Sequence, residues 1–121
     1  MLYELSQTFY FEAAHTLRRQ IDAEPSRRIH GHTYIAEITL AGTPDPASGM
    51  LVDLAFLRRQ IAELRDQLDH RFLDEVEGIG PATLENLCAY IWRAMAVHHP
   101  DTLSCVEVRR EASGDACRLR R

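Results

Sequence analysis

The residues with the clearest chemical potential are the two histidines of the segment His30-Gly31-His32. Residues i and i+2 of a β-strand project from the same face, so both imidazoles can reach one ion, and the glycine between them leaves no side chain in the way. His15 ends an earlier strand-like segment, and antiparallel pairing of the two strands would bring it near the pair. Three neutral imidazoles with an open fourth position are typical of catalytic zinc, although iron, nickel and copper also accept imidazole. We therefore predict a Zn²⁺ site at His15, His30 and His32, and ordinary surface or pocket histidines are the alternative.

The Asp69-His70 pair is a candidate for proton transfer. A carboxylate beside a histidine can fix the imidazole tautomer and raise its basicity, which acid or base catalysis near neutral pH requires. A charged helix end is the simpler explanation of the same pair. Glu85 and Glu111 are candidates for holding a polar heterocycle, and each of them taken alone is more simply a solvent-exposed carboxylate.

The composition excludes several classes of chemistry and of partner. The 121 residues allow one domain, residues 1–121, and 45% apolar residues can form a core without disulfides. A formal net charge of −4 argues against nucleic acid and anionic membranes as partners. All 14 basic residues are arginines, so a P-loop lysine, a catalytic Schiff base and lysine-linked pyridoxal phosphate are excluded.

The chain also lacks the sequence signals of membrane insertion and secretion. No apolar run approaches the roughly 18 to 20 residues that span a bilayer, and no secretory signal is visible, so we expect a cytoplasmic protein. The cysteines Cys88, Cys105 and Cys117 are odd in number and have no CxxC spacing. They fit reduced thiols better than a disulfide framework or a cysteine zinc site.

Hydrophobic periodicity predicts four strands and two helices. Alternation with a period of two indicates the strands, while Asp53 and Thr83 are good N-caps for two segments with helical spacing. The predicted elements are a strand over residues 2–15, a loop over 18–28, a strand over 30–40, helices over 54–68 and 84–95, and strands over 103–109 and 117–121.

The element order ββααββ predicts an α+β domain in which two helices cover one face of a four-stranded antiparallel sheet. Such a sheet has two open edges, and open edges invite pairing, so we expect a homo-oligomer that joins sheets edge to edge. His98 and His99 fall at the end of the second helix beside Pro100, where helix capping or solvent exposure explains them.

Five motifs occur in order over almost the full chain. They are Phe11-Glu12-Ala13-Ala14-His15, His30-Gly31-His32-Thr33-Tyr34, Gly49-Met50-Leu51-Val52-Asp53, Leu68-Asp69-His70 and Thr83-Leu84-Glu85-Asn86. Together they resemble the 6-pyruvoyl-tetrahydropterin synthase and 6-carboxytetrahydropterin synthase family. The resemblance implies the tunnelling fold, in which ββααββ subunits join into a trimeric barrel and two barrels usually stack as a hexamer, with active sites at subunit interfaces.

The resemblance also implies roles for residues and a small-molecule substrate. The three histidines would be zinc ligands, Asp69 and His70 would belong to a catalytic relay, and Thr83 and Glu85 would lie near the pterin. Family members act on 7,8-dihydroneopterin triphosphate, with zinc polarising the substrate side chain while protons move and triphosphate leaves. In the queuosine branch the product is 6-carboxytetrahydropterin.

Two positions depart from the family pattern. Much of the family has a cysteine four residues before the first histidine of the HGH motif, where it acts as proton acceptor, and here that position is Ser26. A subgroup uses a glutamate in this loop, and Glu24 is close to the required place. The family also has a glutamate two residues after a strand valine that anchors the pterin, and here Arg110 occupies that register, with Glu111 one residue late. A one-residue slip switches faces unless a β-bulge intervenes.

Three functional interpretations follow. The leading one is a zinc-dependent lyase that resembles 6-carboxytetrahydropterin synthase and acts on 7,8-dihydroneopterin triphosphate or a related pterin. The alternatives are a lyase or cyclase of the same fold recruited to a non-pterin substrate, such as an aldehyde–amine condensation, and a catalytically silent zinc-binding homologue.

Overall fold

Five strands and three α-helices make up the fold. The computed structural model describes all residues from Met1 to Arg121. In chain order the elements are β1 (Tyr3–His15), α1 (Ala23–Arg27), β2 (His30–Gly42), α2 (Leu54–Asp66), β3 (Arg71–Phe72), a 3₁₀ turn (Leu73–Glu75), α3 (Leu84–Ala96), β4 (Leu103–Arg110) and β5 (Asp115–Arg120).

The strands form one mixed sheet in the order β3-β1-β2-β4-β5. The pairs β1–β2, β2–β4 and β4–β5 are antiparallel, whereas β3 runs parallel to β1 beside Ala13 and Ala14. The predicted four-stranded, purely antiparallel sheet is therefore wrong in strand number and in one orientation. A two-residue strand is too short to show a period-two signal. It forms because His70, at a φ of 58°, turns the chain after α2 and donates its N–H to the Glu12 carbonyl at 2.6 Å.

A short helix occupies part of the predicted loop between β1 and β2. Helix α1 has five residues, which are too few for a hydrophobic period to be visible in the sequence. The Leu17 N–H donates to the Ser26 carbonyl at 2.7 Å, which ties this helix to the chain that leaves β1. The Ser26 side chain is buried at this point.

The two long helices cover one face of the sheet, here called the helix-facing side. The predicted α+β class and both predicted helices are confirmed. Asp53 accepts from the Ala55 N–H at 2.8 Å and Thr83 from the Asn86 N–H at 3.1 Å, as expected of N-caps. No helix of the chain combines the length and apolar character that a membrane crossing needs. Apolar side chains fill the core, among them Phe9, Phe11, Ala36, Ile38, Leu57, Ile61, Leu87, Ile91, Val106 and Val108.

Candidate metal centre

Pairing of β1 with β2 brings three histidines together on the helix-facing side of the sheet. His15 lies opposite His30, and Ala13 lies opposite His32, so the period-two alternation directs all three imidazoles to one place. One nitrogen of each ring lies within 4.8 Å of the others, and Nε2 of His15 and Nε2 of His32 are 3.0 Å apart. This is the cluster that the strand spacing predicts.

Hydrogen bonds on the far side of two rings leave their Nε2 atoms available to a metal. Nδ1 of His15 lies 2.8 Å from the carbonyl oxygen of Ala82, and Nδ1 of His30 lies 2.7 Å from that of Arg28. A carbonyl oxygen only accepts, so each Nδ1 must carry the proton and each Nε2 presents a lone pair. Second bonds of this kind orient histidine ligands in metal sites.

Burial and nearby positive charge disfavour the protonated form of two of the three rings, His15 and His32. Burial lowers the pKa of His15, and burial together with the Arg110 charge lowers the pKa of His32 to about 4. Neutral imidazole is the metal-binding form. Nitrogens about 3.3 Å apart are expected around tetrahedral zinc with bonds of about 2.0 Å, and the 3.0 Å between Nε2 of His15 and Nε2 of His32 is close to this. The three donors therefore fit a metal ion with one position left for a substrate oxygen.

Arg110, and not Glu111, points toward this cluster. Val106, Val108 and Arg110 alternate along β4 on the helix-facing side, and Nη1 of Arg110 lies 3.4 Å from Nε2 of His32. Glu111 follows the end of the strand, is exposed and bonds to Arg109 at 3.4 Å. No β-bulge turns Glu111 inward.

A cavity of about 760 Å³ adjoins the histidines through Ala82 and Arg110. Thr83 and Glu85, the two residues expected near a pterin, both line it. The Thr83 hydroxyl also caps α3, so its position is fixed by the helix. Arg18 and Arg19 line the cavity from the segment after β1.

The Asp69-His70 pair is well ordered but lies apart from this cavity. Asp69 accepts from the Glu12 N–H at 2.9 Å and from Nδ1 of His70 at 2.8 Å, and these bonds lower the pKa of Asp69. The exposed His70 ring borders a different groove of about 540 Å³ with Glu12 and Thr33. Of the three clustered histidines only His32 borders this groove.

Ser26 and Glu24 make their side-chain hydrogen bonds to groups other than the histidines. The buried Ser26 hydroxyl donates to the Ala23 carbonyl at 2.9 Å. Glu24 is exposed and pairs with Arg28 at 3.0 Å. Neither side chain hydrogen-bonds to the three histidines.

Sequence reasoning missed two residues beside the cluster, Tyr34 and Asp115. Tyr34 is buried, and its ring centroid lies 5.6 Å from that of His32. Tyr34 lies two residues after His32 on the same strand, and this spacing alone places both side chains on one face. Asp115 pairs with Arg110 at 3.0 Å, and only the β4–β5 register reveals that contact.

Comparison with known proteins identifies the family. A family model described as 6-pyruvoyl tetrahydropterin synthase matches residues 4–121. The chain belongs to this family. A putative 6-pyruvoyl tetrahydrobiopterin synthase of Caenorhabditis elegans is 36% identical over 98 residues, covering 70% of each chain. The 6-carboxy-5,6,7,8-tetrahydropterin synthase of Bacillus subtilis is 35% identical over 75 residues, covering 62% of this chain and 49% of the relative.

Solved structures of family members share the fold. The C. elegans 6-pyruvoyl tetrahydropterin synthase superposes with a TM-score of 0.86 at 26% identity, covering 100% of this chain and 96% of that one. A Plasmodium vivax 6-pyruvoyltetrahydropterin synthase superposes with a TM-score of 0.75 at 17% identity, covering 100% and 98%. The Plasmodium protein is described as a catalytic-residue mutant in which alanine replaces a glutamate.

Proposed function

We propose that this pterin synthase family member is a zinc-dependent lyase that acts on 7,8-dihydroneopterin triphosphate or a related pterin. The observation that carries the proposal is the cluster of His15, His30 and His32, whose ring nitrogens lie within 4.8 Å of one another. Its two fixed tautomers and its open side suit a catalytic rather than a structural ion. The family match over residues 4–121 supports the pterin as the substrate class.

The proposed chemistry divides between the metal and the chain. Bound zinc supplies a Lewis acid that polarises an oxygen of the substrate side chain. Asp69 holds Nδ1 of His70, which leaves Nε2 of His70 free to take or give a proton. Thr83 and Glu85 offer a hydroxyl and a carboxylate to the polar edge of the heterocycle.

The proposed active site is completed by a second copy of the chain. His70 does not line the cavity beside His15, although its groove also touches His32. Because the resemblance implies active sites at subunit interfaces, His70 of one copy would serve the metal of another. The short β3 and the exposed β5 are the edge strands through which copies would join into a trimeric barrel or a hexamer. Light scattering that gives a monomer at micromolar concentration would contradict this assembly.

The proposed site has Ser26 at the position where much of the family has a cysteine as proton acceptor. A serine hydroxyl has far too high a pKa to replace a thiol, so Ser26 leaves Glu24 or His70 to accept the proton. The Plasmodium relative, whose description names a glutamate as a catalytic residue, favours Glu24. The exposed Glu24 would have to leave Arg28 to act.

A second candidate function rests on Arg110, which faces the cluster where the family carries a pterin-anchoring glutamate. A guanidinium cannot accept hydrogen bonds from the donor edge of a pterin. This favours a zinc-dependent lyase or cyclase of the same fold that acts on a non-pterin substrate.

Incubation of zinc-loaded protein with 7,8-dihydroneopterin triphosphate, followed by mass spectrometry, tests the proposal. We expect slow release of triphosphate that requires zinc and is lost in His32→Ala, with His98→Ala as the matched control. Turnover in neither the natural chain nor Ser26→Cys would refute pterin lyase activity and leave the non-pterin lyase or the silent homologue.

A further inference from the structure

The Arg110 side chain is held in place while two of its donors remain without an acidic partner. Nη2 donates to Oδ2 of Asp115 at 3.0 Å, and only a fifth of the side chain is exposed. Nη1 lies 3.4 Å from Nε2 of His32, and Nε is buried with no hydrogen-bond partner. A metal on the histidines would take the Nε2 lone pair and leave Nη1 unpaired as well.

The β4–β5 hairpin fixes the direction in which Arg110 points. Arg110 and Asp115 are direct cross-strand partners at the end of the ladder. The Ser113 hydroxyl donates to the same Asp115 oxygen at 2.8 Å, which orients the carboxylate. Asp115 is therefore a positioning residue that presents the guanidinium to the histidine cluster.

Tyr34 adds a second buried group without a partner on the same side of the sheet. Its hydroxyl makes no hydrogen bond, and its ring lies beside His32. Its phenolic O–H can donate a hydrogen bond. Buried polar groups in proteins are normally paired, and unpaired donors on two side chains that both neighbour His32 indicate a ligand that accepts.

We propose that Arg110 recognises a carboxylate of the substrate beside the metal centre, with Asp115 positioning it and the Tyr34 hydroxyl as a second donor. A guanidinium has donors only, so this side of the site selects an anionic oxygen over an N–H edge. Three arginines and three carboxylates line the adjoining cavity, so its formal charges balance before a ligand binds. They are Arg18, Arg19, Arg110, Asp74, Glu85 and Asp115. The inference rests on the proposed function for the metal position and deepens it by naming the substrate class.

The experiment compares matched ligands with and without a carboxylate on zinc-loaded protein. One pair is 6-carboxypterin and pterin, followed by ligand fluorescence, and the other is benzoate and benzamide, followed by calorimetry. We expect the natural chain to bind the carboxylate of each pair about tenfold to a hundredfold more tightly, as a charge-assisted bond should provide. Arg110→Gln should abolish that preference, and Asp115→Asn should weaken it, with zinc content unchanged.

Two further variants separate recognition from folding. Arg109→Gln is the matched control because Arg109 faces the opposite side and pairs with Glu107 at 2.9 Å. It should keep the preference. Arg110→Lys retains the positive charge and should keep part of the preference for the carboxylate. It can therefore be measured in place of Arg110→Gln if that variant does not fold.

The outcomes distinguish this inference from the proposed function. Binding of benzoate that depends on Arg110, without binding of either pterin, would refute the pterin substrate and uphold the carboxylate site. Equal binding of 6-carboxypterin and pterin by the natural chain and Arg110→Gln would overturn the carboxylate site and leave the pterin lyase standing.

Discussion

Nδ1 of His15 donates to the main-chain carbonyl of Ala82 across 2.8 Å, which joins the end of β1 to the segment that leads into α3. This one bond fixes the ring tautomer and ties His15 to the residue that precedes Thr83, the N-cap of α3. We therefore expect metal binding at the cluster to be coupled to order at the start of α3 through His15.

This coupling predicts that metal stabilises the fold. A ligand that binds the native state stabilises it by about 2.7 kcal/mol at a concentration 100 times its Kd. Zinc added to chelator-treated protein should raise the midpoint of thermal unfolding, and hydrogen exchange at the start of α3 should slow. His15→Ala should lose both effects, whereas His98→Ala should retain them. An unchanged midpoint on zinc addition would show that the cluster does not hold the ion.

Ser26 provides a test of the catalytic assignment. A thiol has a pKa near 8.5 and forms a thiolate with modest tuning, which a serine hydroxyl does not. A positioned acid-base group increases the rate by about 10²- to 10⁴-fold. We expect Ser26→Cys to increase turnover of 7,8-dihydroneopterin triphosphate by part of that range. Ser104→Cys is the control, because its hydroxyl also donates to a main-chain carbonyl but lies in β4. A brisk rate in the natural chain that Ser26→Cys does not increase would show that the proton acceptor lies elsewhere.

Helix α2 should depend on its N-cap. The Asp53 carboxylate satisfies the Ala55 N–H at 2.8 Å. Asp53→Ala should lower the free energy of unfolding by about 1 kcal/mol in urea denaturation, since it leaves an N–H unpaired. Asp101→Ala, in an exposed turn, should change it little. An equal loss in both variants would refute the capping role.

His99 should make stability sensitive to acid. The ring is buried and bonds to Oε1 of Gln60 at 2.6 Å, and burial lowers its pKa. Below the usual value of about 6.5 the unfolded chain takes a proton that the folded chain resists, so stability falls as pH falls through that value. Thermal unfolding from pH 7.5 to 5.5 should show a smaller acid-induced loss in His99→Gln than in the natural chain. The exposed neighbour His98 provides the comparison, because its charge is a smaller cause of the same lowered pKa, and His98→Gln should reduce the acid-induced loss less than His99→Gln does.

Features with a local sequence signal were predictable. The caps Asp53 and Thr83 precede periodic apolar segments, and the spacing of His30 and His32 fixes a shared face on any strand. The position of His15 followed once β1 and β2 were paired in register.

Features that depend on tertiary contacts were not predictable. Strand β3 exists because His70 turns the chain onto β1, and its two residues carry no period. His99 was interpreted as a helix cap or an exposed residue, but it is buried against Gln60, 39 positions away. The choice between Arg110 and Glu111 depended on whether a bulge lies between Val108 and Glu111, and only the structure shows that the register shift of β4 lies at its other end, near Leu103.

Elemental analysis of protein purified without added metal shows whether the three clustered histidines hold zinc. The natural chain should contain one zinc per subunit, held by His15, His30 and His32, and His32→Ala should contain far less at the same folded fraction. Equal zinc content in the natural chain and His32→Ala, or none in either, would contradict the metal centre from which the proposed function is argued.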